Sequence, residues 1–227
     1  MKMGVFLSVI LWAWVLTVGA KNIEPRFDGK KITNDVFWNT AEGMPLYSQG
    51  GGIFRYPDPD TGRLRYYWYG VRYAEAVRYR EDPSVTYPAC TFEAVTCYSS
   101  DDLINWYYEG DVLTREEVDR YGRAGWVGRM GVAYLEAWNQ YVLVVQHDNG
   151  VLFALSHTPN GRFTWHRRIT MEKIIGTPNT GDQTVFVDED TRKPYLIYSY
   201  GRGRNRIYVS EIGIRDGQVD LLDCTQV

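Results

Sequence analysis

Apolar residues in this chain come as short runs bounded by turn residues, and the runs recur in ordered sets. The first set is "GGIFRY" (51–56) and "RYYWYGVRY" (65–73) around "PDPDTGR", then "FEAVTCYSS" (92–100) and "WYYEGDVL" (106–113) around "DDLIN". A second set follows: "MGVAYLEA" and "QYVLVVQH" around "WN", then "GVLFALSHT" and "RFTWHRRIT" around "PNG". A third begins with "DQTVFVDED" and "KPYLIYSYG" around "TR" and continues with "RIYVSEIGI". Runs of this length, punctuated by Pro, Asp, Asn and Gly, read as strands and hairpins, and past residue 45 almost nothing reads as helix. In each set the second run is the most apolar. Four strands per unit, repeated in order, predict an all-β chain of the β-propeller type; a β-sandwich is the alternative. The units lie at about 46–113, 126–172 and 181–222, after a lead-in over 21–45. The first interval is the longest and holds "REDPSVTYPAC" and "TREEVDRYGRAGWVGR", insertions expected at blade ends, where loops build sites. Propellers close with at least four blades, so three units predict either a fragment, the favoured reading, or a ring completed by a partner. An open arc is expected to expose the apolar faces of both terminal blades.

The first twenty residues belong to another class of signal. Lys2 precedes an apolar stretch over 4–20 that ends in Val18-Gly19-Ala20, the pattern of a secretory signal peptide at 1–20. The expected location is therefore secreted or periplasmic, with no membrane span, because no second long apolar run follows. Export permits disulfides, yet three cysteines make no framework; separate thiols are the favoured reading, and a Cys90–Cys97 pair is the alternative. No Cys-x-x-Cys or His-x-x-x-His spacing suggests zinc. A net charge of −3 and a pI near 5.7 argue against nucleic acid as a partner. Aromatic residues make up 15% of the chain, which suits both pleated sheets and clefts for sugars.

"GGGIFRY…YYWYG", then "AVTCYSSDDLINWYYEGDVL", then "GDQTVFVDEDTRKPYLIYS" together resemble glycoside hydrolase family 43, the five-bladed β-propeller glycosidases. The likeness runs from about residue 32 onward and is greatest to the branch that includes exo-β-1,3-galactanases. It implies a five-bladed propeller family with about three blades present, and hydrolysis of glycosidic bonds with inversion. The substrate it implies is a galactan- or arabinogalactan-type plant polysaccharide. No cofactor is implied beyond the calcium that the wider family sometimes carries at the propeller axis. A non-catalytic carbohydrate-binding propeller is the alternative.

Inversion needs a protonated carboxyl as general acid and a carboxylate that activates water on the opposite ring face. A further carboxylate often tunes the acid. The resemblance makes Asp182, in "TGDQTVF", the tuning group, and a plain turn residue is the other reading. The first-blade Asp that serves as base in the wider family is missing; Gln49 stands where the galactanase branch has His, and that branch also lacks the Asp. Gly128 and Val71 occupy positions where the branch has Glu, while Arg129 is retained. The acid is expected in a fourth unit beyond Val227, so that these three units alone are expected to be inactive. Gln49, Gly50, Gly51, Arg129, His147 and Gln183 are the candidate substrate-binding residues. Glycines 50–52 would let backbone approach a ligand at the channel mouth, or form a β-bulge. The four aromatics from Tyr66 to Tyr69 must alternate between blade faces and are expected to pack mainly between blades. "GRGRNR" (201–206) reads as a basic hairpin tip, a solvated turn or a contact for an acidic sugar. No nucleophile elbow or phosphate loop is present.

Overall fold

The structure is a computed structural model that describes residues 31–122, 125–148 and 150–227. The expected signal peptide lies outside these residues. Among the described residues no helix is long and apolar enough to cross a membrane. Three four-stranded antiparallel sheets follow one another along the chain, and in each the strands stand in sequence order. The first sheet holds β1 (Gln49–Pro57), β2 (Leu64–Tyr73), β3 (Phe92–Ser100) and β4 (Tyr107–Thr114). β5 (Val127–Leu135), β6 (Gln140–His147), β7 (Gly150–Ser156) and β8 (Thr164–Ile169) form the second. The third comprises β9 (Thr180–Val187), β10 (Pro194–Tyr200), β11 (Ile207–Arg215) and β12 (Gln218–Gln226). First strands meet first strands: β1 touches β5, and β5 touches β9. This is a partial propeller of three blades, not a sandwich.

The second strands show why the blades stack. In β6, Leu143 and Val145 join the cluster shared with the first blade, while Val142 and Val144 join the cluster shared with the third. A strand buried on both faces has no reason to alternate with polar residues, which explains the unbroken "YVLVV". β2 differs. Tyr67 and Tyr69 face the second blade, and Trp68 faces the other way. The tyrosines also bind the blades by hydroxyl. Tyr56 Oη donates to the Val132 carbonyl (2.7 Å), Tyr69 to Pro159 (2.6 Å) and Tyr73 to Val127 (2.6 Å). A buried phenol needs such a partner, and burial pushes the Tyr56 and Tyr69 hydroxyls far above their ordinary pKa.

The outer face of the first blade is not bare, contrary to expectation. Residues 33–48 cross it: Trp38 meets Trp68 edge-on at 5.9 Å, and Trp68 meets the buried Trp106 at 5.2 Å. Backbone bonds fix the crossing, from Ala41 N–H to Trp106 O (2.8 Å) and from Tyr47 N–H to Tyr98 Oη (3.0 Å). The third blade keeps its outer face open, with Phe186 50% and Ile207 43% exposed.

The hairpin turns repeat as well. Asp58 in "DPDT" accepts from Thr61 N–H (2.9 Å) and Thr61 Oγ1 (2.8 Å). Asp188 in "DEDT" does the same with Thr191, at 2.7 Å for both bonds. Among the described residues three short helices sit in the connections: α1 (Ala76–Glu81), α2 (Arg115–Asp119) and α3 (Glu172–Ile175). The cysteines are all unpaired; Cys97 is buried between blades, whereas Cys90 and Cys224 are exposed.

Candidate functional site

The heads of β1, β5 and β9 converge at one end of the arc. Their sequences, "QGGGIFRYP", "VGRMGVAYL" and "TGDQTVFV", contain a single acidic residue, Asp182. Arg129 of β5 reaches across to it, Nε to Oδ1 at 3.2 Å, and Arg204 from the β10–β11 hairpin reaches Oδ2 at 3.3 Å. All three side chains are 44–62% exposed. Ion pairs that open to water contribute little to stability, so this group is not what holds the blades together.

Two buried glutamines do hold them. Gln146 Nε2 donates to the Thr180 carbonyl (2.8 Å) and to that of Gly181, while its Oε1 accepts from Arg129 N–H (3.3 Å). Gln183 Oε1 accepts from Thr180 Oγ1 (2.9 Å), and its Nε2 donates to the Arg129 carbonyl (3.3 Å). The backbone on both sides of the Arg129–Asp182 pair is thereby clamped in register. Gln183 was expected to meet substrate; strand alternation turns it into the interface instead, because its neighbour Asp182 faces out.

Of the two roles expected for the glycines, the structure shows the β-bulge. A Cβ on Gly51 would stand 1.6 Å from the Tyr69 carbonyl oxygen, and the β1–β2 register slips between Gln49 and Gly52, so a β-bulge occupies this point. Gly50, at φ +69°, lies where a Cβ would come 3.1 Å from Arg129 Nη1. Gly181 matches it on the third blade, where a Cβ would meet Arg204 Cγ at 2.7 Å. Each guanidinium arm rests against a glycine.

Gln49 is exposed at the start of β1 and lines a cleft of about 690 Å³ walled by Trp38, Trp68, Tyr73 and Tyr79. Glu75, also in that wall, accepts from Thr91 N–H (2.8 Å), which holds its carboxyl below the usual range. At Gly128, where the resemblance would put a Glu, a Cβ would stand 2.1 Å from Trp126 Cη2. The indole of Trp126 fills the space the acid would need, and it is 40% exposed. Asp148 Oδ1 accepts from Trp126 N–H (2.8 Å). His147 is apart from this group. It is 1% exposed at the end of β6, its Nδ1 3.4 Å from Arg168 Nη1. Arg204 comes from the basic hairpin tip that the sequence marked out, whereas sequence reasoning missed Gln146 and Trp126.

No protein-family model matches the chain, and no curated protein sequence matches it either. Solved structures do. The exo-β-1,3-galactanase of Clostridium thermocellum matches 84% of this chain at 26% identity, with a TM-score of 0.63. The fold is that of the family 43 galactanases. A family 43 β-1,3-galactosidase matches 87% at 21% identity and a TM-score of 0.65. The galactose-bound exo-β-1,3-galactanase of Phanerochaete chrysosporium matches 86% at 20% identity and a TM-score of 0.62. The family 43 likeness extends over nearly all the described blades. Against it, the chain spans only about 40% of the length of those three proteins.

Proposed function

We propose that this chain forms part of a family 43-type glycosidase site for galactan- or arabinogalactan-type polysaccharide, with Asp182 as the carboxylate that tunes the general acid. The observation that carries the reading is the convergence of Asp182 and Arg129 at the heads of adjacent inner strands, on a fold otherwise found in β-1,3-galactanases. Hydrolysis with inversion asks for two carboxyls facing the scissile bond. Asp182 is one acidic group, and two arginines already engage it. The Trp126 indole against Gly128, where the resemblance would put a Glu, favours a second reading, in which the mouth binds saccharide without cleaving it.

One experiment separates the two. The full chain is mixed with β-1,3-galacto-oligosaccharides; binding is followed by calorimetry, and sugar release with its anomeric configuration by NMR. Release of the inverted anomer, reduced about 10²-fold in kcat by Asp182→Asn, supports the hydrolase. Binding without release that Asp182→Asn leaves unchanged supports the second reading, binding lost with Asp182→Asn keeps Asp182 in a site whose acid lies outside these three blades, and absence of binding refutes both.

A further inference from the structure

The mouth carries more positive charge than a neutral sugar requires. Arg129 and Arg204 both engage Asp182 through Nε, and no hydrogen bond joins the Nη atoms of either to another described residue. Three arginines crowd the six residues 201–206 without an acidic neighbour among them. Arg206 lies over the Tyr200 ring at 5.2 Å, which orients the hairpin tip. The opposing charges are few. Besides Asp182, the nearby loops bring Asp148, which is turned to the Trp126 backbone, and its carbonyl takes Asn179 Nδ2 at 2.7 Å. Val71 and Gly128 add no negative charge.

We infer that this mouth selects acidic saccharides: a uronic-acid residue docks its carboxylate on the free ends of Arg129 and Arg204. The inference rests on the saccharide reading above and specifies its substrate class. A guanidinium presents paired N–H donors that match the two oxygens of a carboxylate, and its charge persists at every working pH. Here two such forks are held side by side by one shared Asp, each arm lying against a glycine, Gly50 or Gly181, where any side chain would crowd it. The geometry is pre-arranged, which lowers the ordering cost of capture. Trp126, 40% exposed just ahead of β5 and packed against Gly128, supplies a ring suited to the apolar face of the pyranose.

The test is calorimetric titration of the full chain with two ligands of equal length, an oligogalacturonide and a neutral β-1,3-galacto-oligosaccharide, at low and high salt. A parallel titration with a glucuronate-bearing oligosaccharide identifies which uronate is preferred. The acidic ligands should bind about ten-fold tighter at low ionic strength, and salt should narrow the gap. Arg204→Gln should weaken acidic binding at least several-fold more than neutral binding, and Arg204→Glu should reverse the preference. The side chain is 62% exposed, and circular dichroism checks that the fold survives. Equal affinity for acidic and neutral ligands overturns the inference and leaves the saccharide reading standing. So does an Arg204→Gln variant that weakens both alike. Failure of every ligand to bind refutes the saccharide reading itself, and this inference with it.

Discussion

Gly131 on β5 sits where the three inner strands meet, and adding one methyl there tests the packing of the arc. A Cβ at this position would stand 2.6 Å from Val185 Cβ, 2.7 Å from Val185 Cγ2 and 2.8 Å from Phe54 Cζ. Carbon atoms prefer about 3.5–4.0 Å, so the new methyl needs nearly 1 Å of extra room from two blades at once. Neither blade yields easily. Val185 is 6% exposed, and Phe54 packs against Tyr56 and Tyr69. Overpacking of this kind costs about 1–3 kcal/mol, and contact with two separate sheets argues for the upper half. Replacing glycine returns about 0.4–1 kcal/mol through the unfolded chain. Gly131→Ala should therefore destabilise by about 2 kcal/mol net, read as a fall of roughly 4–8 °C in Tm for a chain of this size. Urea denaturation followed by tryptophan fluorescence measures it. Val185→Gly, which removes both Cβ and Cγ2, supplies the check: if the two sites clash, the double variant loses at least about 1 kcal/mol less than the sum of the singles. A Gly131→Ala protein as stable as the parent, or strictly additive costs, would refute the three-strand junction.

Further outcomes follow from the covering segment, the hydroxyls and the turns. Trp38→Ala strips the cover from Trp68 and Trp106 and should cost about 2 kcal/mol in chemical denaturation; an unchanged midpoint means residues 33–48 do not protect the first blade. Tyr69→Phe leaves the Pro159 carbonyl without its donor and should cost about 1–2 kcal/mol, with no loss of secondary structure in circular dichroism. Asp102 accepts from Ile104 N–H, Asn105 N–H and Asn105 Nδ2, and the Asn105 backbone bond first among these holds its pKa at about 2. Because the folded value lies below the ordinary 3.8, the stabilisation is full above that pH and is lost as pH falls through about 2. Asp102→Ala should then cost about 1 kcal/mol at pH 6, after discounting for exposure, and almost nothing at pH 2; a gap that does not change with pH would refute the assignment.

The repeated hairpins were legible because strand periodicity and turn chemistry are local. "SSDDLINW" is a clear case: Asp102 folds the turn using residues within three positions of itself. β12 escaped notice because "QVDLLDCTQ" carries two aspartates and only part of it is buried. α2 was readable in principle from Thr114 and Glu117, whose spacing is that of a capping box, and Thr114 Oγ1 does accept from Glu117 N–H (3.3 Å). The site was less accessible. Arg129 and Asp182 are 53 positions apart, and no pattern in the sequence announces their contact. His147 follows a polar residue at a strand end, which suggests exposure, yet both faces of β6 are covered by neighbouring blades. Gln146 reads as an ordinary polar strand residue until the third blade places two carbonyls in its reach.

The segment that crosses the first blade gives the arc a direction. Linear arrays of repeats place a polar or covering element where stacking stops, and unravel from whichever flank lacks one. Here the covered flank carries Trp38 over Trp68, and the uncovered one presents Phe186 and Ile207 to water. Opening should start in the third sheet and move inward, so amide protection would rise from β11 toward β6 and stay high in β2. The three blades are alike in strand order, but among the described residues only the first has a segment laid across its outer face, and that sets which flank of these three blades opens later.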